Sequence, residues 1–109
     1  EIKKKKDDFL SKVLLNLEQD GLRVITQNVL RSNKESEFIV EIPSAVGRLV
    51  YYCKSINKKK CNDRDLSSAF VQGQLKKLPV LFLTTGELTK KAKEMIKKEF
   101  KGMVVKKVI

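Results

Sequence analysis

The chain has 109 residues, 41% of them hydrophobic, and its 24 Lys and Arg against 13 Asp and Glu leave a formal charge of +11 with no histidine. That length suits one domain with one core, and the apolar content is too high for a disordered tail. No apolar run is long enough to span a membrane, the opening lysines lead into an amphipathic stretch instead of a signal sequence, and without histidine neither Cys-His catalysis nor a complete zinc ligand set is available.

A charge excess of this size favours a polyanionic partner, nucleic acid and DNA first, an anionic membrane surface less often. Lysine-rich surfaces also occur simply as solvated faces. Cys53 and Cys61 are expected as free, reduced thiols of an intracellular, cytoplasmic protein, since nothing points to secretion. The chain begins at Glu1 without methionine, and it reads as the C-terminal part of a longer protein whose N-terminal part is missing. The expected organisation is a single domain over 1–109, with a basic segment 1–7 ahead of a folded core 8–109.

After four lysines (Lys3–Lys6), Phe9, Val13 and Leu17 recur at helical spacing with Leu10 and Leu14 beside them. This predicts a helix from about Asp8 to about Gln19, capped by Asp7 or Asp8 and ended at Gly21. Three strands follow: Leu22–Leu30, Glu37–Ile42 and Arg48–Ile56, joined by the polar turns 31–34 and 43–47. Alternation sets Phe38, Val40 and Ile42 against Glu37, Ile39 and Glu41. On the third strand it sets Leu49, Tyr51 and Cys53 against Val50, Tyr52 and Lys54. Short turns make the three an antiparallel meander.

Residues 57–62 read as a lysine-rich loop. Asn62 or Asp63 caps a second helix with Leu66, Ala69, Phe70, Gly73 and Leu75 or Lys77 inside, stopped by Pro79. Val80–Leu83 is wholly apolar, as a strand buried on both faces requires. Thr84-Thr85-Gly86-Glu87 has capping-box spacing and predicts a third helix directly after it, with Leu88, Ala92, Met95 and Ile96 buried. Met103–Ile109 completes the pattern as an edge strand guarded by Lys106 and Lys107. The order α-β-β-β-α-β-α-β implies an α/β fold with a mixed central sheet and helices on both faces. The last strand–helix–strand unit should be parallel.

The stretch Leu49-Val-Tyr-Tyr-Cys-Lys54, a basic loop, a helix and then Leu81-Phe-Leu-Thr-Thr-Gly-Glu-Leu-Thr-Lys-Lys-Ala92 resembles the restriction-endonuclease-like, PD-(D/E)xK, nucleases, in particular the Mrr-like branch that shares its fold with archaeal Holliday junction resolvases. The resemblance implies a divalent metal, Mg²⁺, held by an acid on the second strand and an acid-x-Lys pair on the third, with the lysine orienting the attacking water. Onto this sequence it carries Glu37 and Lys54, with Tyr52 at the acid position. It also makes a homodimer plausible.

Tyrosine is not a hard anionic ligand near neutral pH, so the departure at Tyr52 implies a weakened site. Glu41 shares a face with Glu37 and is the candidate second metal ligand; Asp63 or Asp65 are migrated-acid candidates. A helix-borne glutamate near the N-terminus is missing, with Leu10 in its place and Asp8 close by. Gln72 and Gln74 resemble polar helix residues lining nuclease clefts. Lys54, Lys58, Lys59, Lys60, Lys90 and Lys91 are the candidate phosphate contacts. Each has an ordinary structural reading as well: Tyr52 as aromatic filler, Glu37 and Glu41 as a solvated strand face, Lys54 as a surface lysine, the glutamines as exposed helix positions. Thr84, Thr85 and Gly86 can bind phosphate at a helix start or simply cap it.

Three functional readings follow. The first is a nucleic-acid-binding module on a catalytically degenerate nuclease fold. The second is an active, metal-dependent endonuclease with a rearranged site using Glu37, Glu41 and Lys54. The third is a protein-interaction or dimerisation domain whose lysines solubilise.

Overall fold

The computed structural model describes residues 8–100 and 102–108. The segment Lys3–Lys6, the alternative cap Asp7 and the terminal Ile109 lie outside the described residues. Helix α1 spans Asp8–Gln19 and buries Phe9, Val13 and Leu17, the residues that recur every four positions. Asp8 is its first residue, and the Phe9 N–H donates to Asn33 Oδ1 at 3.4 Å. A residue from a distant turn therefore serves the first turn of the helix. At the other end Gly21, at φ 78°, reverses the chain so that its N–H and that of Leu22 reach the carbonyls of Glu18 and Leu17. Those bonds satisfy carbonyls that the helix end leaves open.

Strands β1 (Arg23–Arg31), β2 (Glu35–Ser44) and β3 (Gly47–Ile56) form the antiparallel meander. Then come β4 (Lys60–Cys61), α2 (Asp63–Lys76), β5 (Val80–Thr84), β6 (Glu87–Leu88), α3 (Lys90–Lys98) and β7 (Val104–Lys107). The main sheet has the order β1-β2-β3-β5-β7, with β5 parallel to both β3 and β7. The architecture is thus the mixed α/β sheet expected from the element order.

Two cores lie on its two faces. Phe38, Val40, Cys53, Leu81 and Leu83 pack under α1, while Tyr52, Ile56, Val80 and Phe82 pack with Leu66 and Ala69 of α2 and Ala92 of α3. All five residues of β5 are buried, as its apolar run requires. Cys53 and Cys61 are buried, free, and in different cores, so no bridge joins them. Burial pushes the Cys53 thiol up to about 12.

Three local expectations change. The box Thr84-Thr85-Gly86-Glu87 does not start a helix: Thr84 is buried and accepts from the Gly86 N–H, and Glu87 begins β6. The cap of α3 is Thr89, whose hydroxyl accepts from the Ala92 N–H. The loop 57–62 contains β4, paired in parallel with β6 through Lys60–Glu87 and Cys61–Leu88. On α2, Leu75 is 72% exposed and Lys77 has left the helix in the left-handed region at φ 57°, so neither is an inner residue. Asn62 is the cap of α2, in a reciprocal capping box with Asp65. This closes the first turn from both sides.

Phe82 is fully enclosed, so Phe82→Ala should cost ~3–5 kcal/mol in chemical denaturation. Phe70 is half-buried against Phe100, with centroids 4.8 Å apart, and its replacement by alanine should cost clearly less. Both thiols should react with a thiol reagent only as fast as the chain opens; rapid labelling under native conditions would contradict their burial.

Candidate functional site

Register decides which side chains meet. Glu37 lies opposite Lys54, Ile39 opposite Tyr52 and Glu35 opposite Ile56, so Glu35, Glu37, Tyr52 and Lys54 share the sheet face that α2 covers. The contacts are diagonal, as neighbouring strands permit for long side chains. Tyr52 donates its hydroxyl to Glu37 Oε1 at 2.8 Å, and Asn28 of β1 donates to Glu37 Oε2 at 3.1 Å. Lys54 Nζ lies 2.6 Å from Glu35 Oε2, while Arg31 holds Glu35 Oε1 at 3.2 Å. The side chain of Lys54 is only 6% exposed and Tyr52 is fully buried. A small cavity over Glu37 and Tyr52 is lined also by Thr26, Asn28, Ile39 and Lys76.

The electrostatics follow from these partners. Burial acts to raise the Glu35 carboxyl, but Lys54 and then Arg31 outweigh it and hold the group below its ordinary value. At Glu37 burial is again opposed, by hydrogen bonds from Asn28 and Tyr52 and by the charges of Lys54 and Lys76, and the net direction is down. Burial, reinforced by the bond to Glu37, drives the Tyr52 phenol well above its usual range. Tyr52 is therefore a protonated donor, not an anionic ligand.

Magnesium demands near-octahedral oxygen coordination with one or two free carboxylates. Here the oxygens of Glu37 accept from Tyr52 and Asn28, and those of Glu35 face two cations. Among the described residues no three carboxylate or thiol side chains converge as a metal site. The donor set as folded does not fit the ion.

The other sequence candidates are dispersed. Glu41 shares the face of Glu37 but lies four residues, about 13 Å, along the strand. There it pairs with Arg23 and Arg48, so the structure does not bring it to Glu37. Asp65 accepts from Asn62 and from Lys58 at 2.9 Å, and Asp63 faces Lys91 at 3.8 Å; both belong to the start of α2. Asp8 and Leu10 are on α1, across the sheet from the site. Gln74 is exposed, Gln72 half-exposed, and neither lines the cavity over Glu37. Lys54 faces Glu35 and not solvent, whereas Lys59, Lys60 and Lys90 are exposed. Thr84, Thr85 and Gly86 stand away from the start of α3, against the lysine loop: a Cβ on Gly86 would lie 2.0 Å from the Lys58 carbonyl oxygen.

Glu35, Asn28 and Arg31 were not singled out in the sequence. The period-two rule could have found Glu35, two residues before Glu37 on the same face, had the strand been extended back to it. Asn28 and Arg31 enter only through the β1–β2 register.

No family model matches the sequence, and no curated protein matches it. Solved structures do. The chain superposes on the MspJI restriction endonuclease in complex with a 27-mer oligonucleotide with a TM-score of 0.55 at 10% identity, covering 93% of this chain and 25% of that one. It superposes on the DNA modification-dependent restriction endonuclease AspBHI with a TM-score of 0.53 at 11% identity, covering 90% and 27%. The fold is restriction-endonuclease-like, and the chain spans about a quarter of each of these proteins.

Glu35→Ala should strand the Lys54 ammonium and lower stability by roughly 3 kcal/mol, with Lys54→Met in the same chain restoring most of it. Both glutamates are lower in the folded chain than in the unfolded one, so the unfolded chain takes up protons first on acidification. Their contribution should be complete above the ordinary value of 4.5 and fade as pH falls below it. Denaturation midpoints of Glu35→Gln and Glu37→Gln should show a flatter acid limb than the parent.

Proposed function

We propose that this chain is a nucleic-acid-binding domain, of DNA first, on a nuclease-like scaffold of the Mrr-like branch whose hydrolytic site is closed. The observation that carries the reading is the bond from Tyr52 to Glu37, made beside the Lys54–Glu35 pair. Tyrosine stands where the resemblance calls for an acid, and it occupies the remaining carboxylate instead of sharing a metal with it. The lysine that would orient a water is itself neutralised.

The net charge of +11 supports the binding half of the reading, since lysines neutralising phosphates release counterions and give affinity without base readout. The MspJI neighbour, solved with an oligonucleotide, is consistent with it at the level of fold. Retained cleavage would require Glu35 and Glu37 to exchange their present partners for a metal ion.

The test is incubation of the chain with labelled duplex, branched and single-stranded DNA, with Mg²⁺ or Mn²⁺, across a salt series. Binding should fall steeply with salt, with a slope of several ions, and no cleavage should occur. Metal-dependent cleavage abolished by Lys54→Ala would establish a rearranged nuclease. Absence of binding at low salt would move the function to a protein partner.

A further inference from the structure

We propose that the binding surface is the rim at the carboxyl ends of β3, β5 and β7, and that it takes double-stranded nucleic acid by its phosphates; this rests on the nucleic-acid reading above. The rim is tied together by short bonds between distant segments. Asn57 donates its N–H to the Lys34 carbonyl at 2.7 Å and its side-chain amide to the Asn33 carbonyl at 2.8 Å. Thr85 donates its hydroxyl to the Asn57 side chain at 2.8 Å, and the Glu87 N–H reaches the Lys59 carbonyl at 2.9 Å. The turn before β2, the loop after β3 and the loop after β5 thus form one body. The starts of α2 and α3, at Asn62 and Thr89, join it. Gly86 is the seat of the lysine loop, because any side chain there would meet the Lys58 and Lys59 carbonyl oxygens at 2.0 and 2.3 Å.

Charge is sorted on this rim. Most of its acids are spent, Asp65 on Lys58, Asp63 on Lys91, Glu87 on Lys107, Glu35 on Lys54 and Arg31; Asp8, at the start of α1 beside Asn33, is the exception. Lys34, Lys59, Lys60, Arg64 and Lys90 remain exposed, and none has a carboxylate partner among the described residues. A carboxyl-end rim is also where open α/β sheets gather their ligands. Single strands are bound by stacking bases on aromatic rings. Every Phe and Tyr of this chain is buried or half-buried, and there is no Trp. Tyr51 lines a cavity with Asp20 and Leu22 near the end of α1, and Phe70 packs on Phe100. What the rim offers is an array of cations, suited to the backbone of a duplex.

The deciding comparison uses two triple variants of the whole chain, each removing three positive charges and leaving Lys3–Lys6 untouched. Lys59→Gln/Lys60→Gln/Lys90→Gln empties the rim, and Lys77→Gln/Lys97→Gln/Lys98→Gln empties the helix ends opposite it. Fluorescence anisotropy with a labelled DNA duplex at about 0.1 M salt should show the rim triple weakened roughly 100-fold or more. Its slope of log affinity against log salt should drop by about 2 to 3. The opposite triple should stay within about threefold of the parent, and a single strand of equal length should bind the parent no more tightly than the duplex. Lys59→Arg/Lys60→Arg/Lys90→Arg should keep parental affinity, which separates lost charge from damaged structure. Equal losses in both triples, an unaffected rim triple or preference for the single strand overturns the proposal. A parent that binds duplex steeply with salt beside an unaffected rim triple sinks the rim alone, whereas a parent that binds nothing sinks the nucleic-acid reading with it.

Discussion

A lysine ammonium withdrawn from water needs a carboxylate at contact distance, and the 2.6 Å approach of Glu35 to Lys54 supplies it. Much of the structure depends on that pairing. Lys54 sits on β3, which has an antiparallel neighbour on one side and a parallel one on the other. A slip of one residue between β2 and β3 would turn Glu35 and Phe38 each to the opposite face, leave the ammonium unpaired and take the Phe38 ring out of the core under α1. The charge pair and the apolar alternation therefore demand the same register. That register in turn sets Glu37 within reach of the Tyr52 hydroxyl.

The result is a saturated polar cluster under α2. Each carboxylate has two partners, the phenol is held as a donor, and the lysine is neutralised. Such a cluster stabilises the folded chain but offers no unoccupied carboxylate oxygens to a hard cation. A structural role for it is what we propose, on a fold whose solved neighbours are restriction endonucleases. Fold and activity are separable in general, because a sheet can keep its register while side chains on it change.

Five of the cations with no carboxylate to answer them, Lys34, Lys59, Lys60, Arg64 and Lys90, lie away from this cluster, on the loops and helix starts of the rim. Their arrangement depends on β4 and β6, two residues each, and on Gly86, which lets the loop backbones approach. A pair so short has little stability of its own. It persists because Cys61 and Leu88 pack into the core beneath it.

Period and punctuation in the sequence determined the large elements: the four-residue recurrence of Phe9, Val13 and Leu17, the alternation through Phe38 and Val40, the apolar run of β5, and a cap at Asn62 or Asp63, of which the structure takes Asn62. These signals are local, so they survive without tertiary information. Glu37 and Lys54 were singled out through the resemblance to the nucleases and not by period. What only the tertiary structure decided were relations between distant segments. Thr84 had the spacing of a cap, but burial and the Gly86 N–H claimed its hydroxyl, and Thr89 took the role. Glu41 had the right face, but 13 Å of strand and two arginines separate it from the site (about 3.3 Å per residue). Glu35 and the β4–β6 pair emerged only from cross-strand register and from a contact between loops 26 residues and more apart in sequence, about which neither segment alone carries information.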